Sequence, residues 1–121
     1  MNNTTAKIMI ADDDPGILDS VGIMLEYRGY EVLPSSKNTL NQVQAELPDL
    51  LLLDIWMSGQ DGIEICKALK GNERTREMPV LMISASRHIE NSAFDAGADD
   101  FLAKPFEMEQ LFEKIEYLLK K

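Results

Sequence analysis

Apolar residues follow two rhythms along this chain. One is the short unbroken run. Residues 50–53 are four leucines in succession, and residues 80–83 read Val-Leu-Met-Ile. A strand with one wet face alternates apolar and polar positions, so unbroken runs this short predict strands covered on both faces, as at the centre of a parallel sheet. The other rhythm is helical. Ile17, Leu18, Val21, Met24 and Leu25 fall on one stripe, as do Met108, Leu111, Phe112, Ile115, Leu118 and Leu119.

Taken in order, the pattern predicts a strand over 7–11 and a helix capped by Asp14, with Pro15 in its first turn and Gly29 as its stop. A strand over 30–33 follows and ends at Pro34. A weaker helix over 37–47 carries Leu40, Val43 and Leu47 on one stripe and is closed by Pro48. The central strand within 49–57 leads into a turn-rich loop, Ser58-Gly59-Gln60-Asp61-Gly62. A helix over 61–69 turns Ile65, Cys66 and Leu69 inward and ends at Gly71-Asn72. A fourth strand over 79–84, a short helix between 87 and 96 closed by Gly97, a fifth strand over 100–103 ended by Lys104-Pro105, and a helix over 107–120 complete the chain. Five strand–helix units in alternation predict an α/β fold, a five-stranded parallel sheet with helices on both faces and right-handed crossovers.

Composition narrows the classes. The 121 residues suit one domain, with residues 1–6 as a short polar lead-in and 7–121 as the folded unit, leaving no room for an effector domain. Hydrophobic residues make up 45% of the chain, which argues against disorder, and no apolar run approaches the ~18 residues of a membrane span. Lys and Arg are outnumbered 12 to 21 and the formal net charge is −9, which disfavours direct contact with nucleic acid. The single cysteine, Cys66, can form no internal disulfide and reads as core; together with the missing signal sequence it fits a cytoplasmic location.

The candidate chemistry lies at the strand ends. The first strand ends in Asp12-Asp13, the third in Asp54, the fourth in Ser84 and the fifth in Lys104. In a parallel sheet these ends share the carboxyl edge, where ligands bind in open α/β folds. Each residue alone has a plainer reading: a helix cap, a strand-end turn, a hydroxyl bonded to backbone, a solvated lysine. Together they place carboxylates that repel one another beside an ammonium, a penalty that a hard divalent cation such as magnesium relieves. A carboxylate next to magnesium and a lysine can attack phosphorus, with Asp54 as the nucleophile of an acyl phosphate and Ser84 bonding a phosphoryl oxygen.

The segments Ile8-Met9-Ile10-Ala11-Asp12-Asp13-Asp14-Pro15, Leu53-Asp54-Ile55-Trp56-Met57, Asp61-Gly62, Ile83-Ser84-Ala85 and the run from Gly97 to Phe106 together resemble the receiver domain of bacterial two-component response regulators, over nearly the whole chain. The resemblance implies a flavodoxin-like fold of strand order 2-1-3-4-5 and a phosphorelay protein. Asp54 would accept a phosphoryl group from a histidine kinase or a histidine phosphotransfer protein. Asp12, Asp13, Asp54 and the backbone carbonyl of Trp56 would hold Mg2+, with Mn2+ as a substitute. Lys104, ahead of a cis bond to Pro105, would pair with the phosphoryl group. Ser84 and Phe101 would act as the switch, and the last two helices with the fifth strand would form the output surface. Such a domain is not an enzyme acting on diffusing substrates. It catalyses only its own phosphorylation and dephosphorylation.

Four positions depart from the family pattern. Ser58 stands in place of proline, Ser84 in place of threonine, Trp56 is bulky beside the site, and the segment between Ala85 and Gly97 is about two residues shorter than is usual in the family. Two rival readings remain at this level. One is a magnesium-dependent aspartyl-phosphate phosphatase or phosphotransferase, for which the chain offers neither a cap nor an evident general acid, His88 being expected at an exposed position. The other is an interaction module that is never phosphorylated.

Overall fold

Burial is what separates the central strands from the rest. In the computed structural model, which describes residues 5–57 and 59–120, β3 (Leu50–Asp54) and β6 (Val80–Ser84) are buried at every position. With β1 (Lys7–Ala11), β2 (Glu31–Ser35) and β7 (Asp100–Ala103) they form one parallel sheet of order β2-β1-β3-β6-β7. Counted as the five strands of that sheet, this is the expected order 2-1-3-4-5.

The unbroken apolar runs split by alternation between two cores. Met9, Leu51, Leu53, Val80 and Met82 face α2 (Thr39–Glu46), α3 (Gly62–Lys70) and α4 (Glu90–Asp95), meeting Val43, Cys66, Leu69 and Ala93. Ile8, Ile10, Leu50, Leu52 and Leu81 face α1 (Pro15–Tyr27) and α5 (Met108–Lys120), meeting Leu25, Leu111 and Ile115. Each leucine of β3, fully enclosed, contributes on the order of 2 kcal/mol of hydrophobic stabilisation. Cys66 lies in the first core with no exposed surface, and burial pushes its thiol up to about 11, so it is unreactive at neutral pH.

Local signals set the helix ends. The Asp14 side chain accepts from Gly16 N at 2.9 Å, and Asp61 accepts from Ile63 N at 2.9 Å, so each caps its helix. Gly29 and Gly97 take φ of 95° and 104°, the left-handed conformations that stop α1 and α4. The Lys104–Pro105 peptide bond is cis, as the family likeness implies.

Four expectations need correction. The second strand does not end at Pro34 but runs through it to Ser35. Glu31 N donates to Ala6 O and Ser35 O accepts from Asp12 N, so Pro34 presents its donorless nitrogen to the outer side of an edge strand, where no bond is lost. The second helix starts at Thr39 rather than residue 37, because Asn38 sits in the left-handed region at φ 53°. Leu47 also leaves the helix, at φ 49° ahead of Pro48, and is 43% exposed instead of completing the apolar stripe. Finally, the loop after the central strand is a small antiparallel hairpin, β4 (Trp56–Met57) and β5 (Gln60–Asp61), with Gly59 at φ 74°. Ser58 lies outside the described residues.

Gly62 has no room for a side chain. A Cβ there would stand 2.7 Å from Ile55 Cα and 2.8 Å from Asp54 O, both backbone atoms. Gly62→Ala is expected to destabilise the fold by about 1–3 kcal/mol. Gly22→Ala, where the nearest atom is 3.6 Å away inside α1, should instead be neutral or stabilising by up to about 1 kcal/mol. Urea denaturation of both variants checks the contrast, and equal effects would mean that the close backbone approach at Gly62 carries no cost.

Candidate functional site

The parallel register brings the strand ends level. Ala11 lies beside Leu53, Asp54 beside Ile83, and Ser84 beside Ala103. Asp12, Asp54, Ser84 and Lys104 therefore leave the sheet at one edge. Asp12, Asp13 and Asp54 each offer a carboxylate oxygen within 4.8 Å of the others. Asp12 and Asp54 are buried, and Asp13 is exposed.

Lys104 ties this cluster together. Its Nζ donates to Asp12 Oδ2 at 3.1 Å and to Asp54 Oδ2 at 3.4 Å. The remaining oxygens face backbone. Asp12 Oδ1 accepts from Asp14 N at 2.9 Å, and Asp54 Oδ1 accepts a long bond of 3.4 Å from Trp56 N. Burial raises the Asp54 carboxyl above its ordinary range; Lys104 opposes the rise, while the Asp12 charge adds to it. For Lys104, burial works against the ammonium. The hydrogen bond to Asp12 and the charges of Asp54 and Asp12 outweigh it, so the group is raised overall.

The donor set suits a hard divalent cation. Three carboxylate oxygens converge, with no sulfur or imidazole among them, and one is open to solvent so that water can fill the remaining positions. A cation there would relieve the repulsion that Lys104 alone partly offsets.

Ser84, expected to reach the site as a switch, is fully buried at the end of β6, and its Oγ accepts from Ser86 N at 3.0 Å. In this conformation its hydroxyl serves the local turn. Phe101, expected to rotate inward, is already 7% exposed in the core facing α3 and α4. Trp56 is 58% exposed, so its indole projects from the hairpin rather than lining a closed site. His88 is exposed in a single 3-10 turn ahead of α4. A separate hollow at the opposite, amino edge, bordered by Asp49, Arg76, Glu77 and Asp99, contains none of the strand-end residues.

Sequence reasoning missed Gln60. Its Oε1 accepts from Thr39 N at 2.8 Å and its Nε2 donates to Ser36 O at 3.1 Å, joining the hairpin beside Asp54 to the start of α2. A glutamine in a turn-rich stretch carries no mark of such a contact. It missed Lys70 as well, which donates to Asp99 Oδ2 at 2.8 Å while the same oxygen accepts from Val80 N, fastening β6 and β7 at their amino ends.

The family model described as the response regulator receiver domain matches residues 8–116. The chain is 40% identical over 119 residues to the DNA-binding dual master transcriptional regulator RpaA of Synechocystis, covering 95% of this chain and 49% of that protein. Among solved structures, a CheY-like response regulator receiver domain protein from Methanospirillum hungatei is 30% identical with a TM-score of 0.89, over 97% of this chain and 95% of that one. The receiver domain of a Pseudomonas aeruginosa sensor histidine kinase, solved with magnesium coordinated in its active-site cleft, shares the fold at a TM-score of 0.89 and 21% identity, over 98% of this chain and all of that one (100%). The chain spans about half the length of the curated relatives it matches. The acidic composition that disfavours nucleic acid describes these 121 residues alone, and it lends no support to an absence of DNA binding where a relative is named for that activity.

Proposed function

The chain belongs to the response regulator receiver family, a family of signalling domains, and from this we propose that Asp54 is its phosphoacceptor. The carrying observation is the meeting of three carboxylates within 4.8 Å, two of them held by Lys104. In this reading an Asp54 oxygen attacks the phosphorus of a phosphohistidine or a small acyl phosphate. The new P–O bond forms as the bond to the leaving group breaks, and the leaving group departs with that electron pair. Lys104 stabilises charge on the phosphoryl oxygens. Ser84 supplies a hydroxyl to one of them once it leaves Ser86 N, and Phe101 acts with it as the switch. Asp12, Asp13, Asp54 and the Trp56 carbonyl hold Mg2+, or Mn2+ in its place. When bound, the cation neutralises the acidic cluster and the developing phosphoryl charge.

Residues 7–121 act in this reading as one receiver unit in a reducing cytoplasm. Their partners are a histidine kinase or histidine phosphotransfer protein on one side and a downstream protein, docked on α4, β7 and α5, on the other. Among the described residues no helix is long and apolar enough to cross a membrane. Family membership does not favour the phosphatase or passive-module readings.

Incubation with acetyl phosphate and Mg2+ tests the proposal. Intact mass should rise by one phosphoryl group. Rapid steady release of phosphate would favour a turnover enzyme, and no modification under any donor would sink the reading. Mg2+ should also raise the melting temperature, because it binds the folded cluster; at a hundredfold excess over its Kd the gain is about 2.7 kcal/mol. Asp13→Asn should blunt that gain. An unchanged magnesium response in this variant would remove Asp13 as a ligand.

A further inference from the structure

The second helix lacks a cap of its own. Asn38, at its N-cap position, is left-handed and makes no side-chain hydrogen bond to the first turn. The first backbone donors of a helix need partners from elsewhere. Here Thr39 N is served from 21 residues away, by Gln60 Oε1 at 2.8 Å, while Gln60 Nε2 donates to Ser36 O at 3.1 Å. Only this amide orientation satisfies both a backbone donor and a backbone acceptor.

Gln60 is not placed at random. It lies on β5, opposite Met57, and the next rung of the same hairpin pairs Trp56 with Asp61. Trp56 N reaches Asp54 Oδ1 through a bond of 3.4 Å, at the long limit. Asp61 caps α3 through Ile63 N. The hairpin thus touches the carboxylate and the start of α3 on its Trp56–Asp61 rung, and the first turn of α2 on its Met57–Gln60 rung. Below Thr39 the contact continues inward. Its hydroxyl, fully buried, pairs with Ser35 Oγ at 2.9 Å, and Ser35 Oγ also donates to Gln42 Oε1.

We propose that Gln60 is a positioning residue that couples occupancy of the Asp12–Asp13–Asp54 cluster to the order of the first turn of α2. A ligand drawing on Asp54 and the Trp56 backbone fixes the hairpin. The fixed hairpin holds the Gln60 amide against Ser36 and Thr39, and α2 frays less often at its uncapped end. This inference rests on the cluster being the cation and phosphoryl site.

Amide hydrogen exchange tests it, with Mg2+ plus beryllium fluoride, a phosphoryl mimic, as the probe. In the wild-type chain exchange at Thr39, Gln42 and Val43 should slow by about threefold to tenfold on adding the probe, the range that one net hydrogen bond commands. In Gln60→Ala this slowing should vanish, while Ile63 in α3 and Trp56 fluorescence still respond. Gln60→Glu keeps the acceptor for Thr39 N but loses the donor to Ser36 O, and should restore part of the slowing. A merely structural role would speed exchange in α2 equally with and without the probe, and that result overturns the coupling. So does a wild-type α2 that ignores the probe while Ile63 and Trp56 respond. Silence at Trp56 and Ile63 as well would overturn the site reading, and the coupling with it.

Discussion

Asp54→Asn should take up no phosphoryl group from acetyl phosphate with Mg2+, while remaining folded and at least as stable as the wild type at neutral pH. The first half follows from chemistry. An amide oxygen matches the carboxylate in shape but is a poor nucleophile and cannot yield the acyl phosphate. The second half follows from burial. The fold raises the Asp54 carboxyl above its ordinary value, chiefly by desolvation, so the charged form is disfavoured in the native state. A carboxyl raised on folding gives its stabilisation at low pH, below its unfolded value, and loses it as pH climbs through the folded value. Asparagine resembles the neutral form at every pH, and it can still accept from Lys104. The stability difference between variant and wild type should therefore be largest near neutrality and shrink as the medium turns acid. Melting curves across pH, with intact mass at each step, check both halves. Phosphoryl uptake by the variant would remove Asp54 as acceptor, and an advantage over the wild type no larger at neutral than at acid pH would contradict the burial argument.

Lys104→Met should cost both stability and phosphoryl transfer, and magnesium should restore the first without the second. The ammonium is the one cation among the described residues hydrogen-bonded to both Asp12 and Asp54. Removing it leaves two buried carboxylates facing each other, and breaking a buried pair on one side costs roughly 3–5 kcal/mol. The low end applies here, since the Lys104 side chain keeps 23% of its surface. Methionine also removes a competitor for the acidic oxygens, so the gain in melting temperature on adding Mg2+ should exceed that of the wild type. Transfer from acetyl phosphate should stay about 10²–10³ slower, as when one preorganised charge-stabilising donor is deleted. The pH dependence carries its own sign. Lys104 is raised, so its contribution is complete below its ordinary value and fades only as strongly alkaline pH passes the folded value. The variant should lack that alkaline loss. A variant as stable as the wild type without metal would show that the Lys104 contacts are worth nothing to the fold.

The Gln60 coupling bears on how such a domain reports its state. The family reading assigns the switch to Ser84 and Phe101, on the side of β6 and β7. The hairpin opens a second route from the same carboxylate, toward α2 on the far side of β3, and it depends on one amide side chain.

The sequence alone determined the elements and the site's ingredients. Unbroken apolar runs marked strands buried on two faces, helical stripes marked the helices, and the polar residues that ended each strand fell on one edge because parallel strands share a direction. Asp12, Asp13, Asp54 and Lys104 were legible for that reason. Tertiary structure alone decided what no local pattern encodes. Pro34 can lie inside a strand because that strand is an edge with its nitrogen turned outward. The stretch after Asp54 becomes a hairpin whose Gln60 serves a helix 21 residues upstream. Ser84 bonds to Ser86 N in this conformation, and Lys104 divides its ammonium between two carboxylates. The physical divide is range: periodicity and capping act within a few residues, whereas donors and acceptors left over by the local structure find partners only when the packed chain brings them within reach.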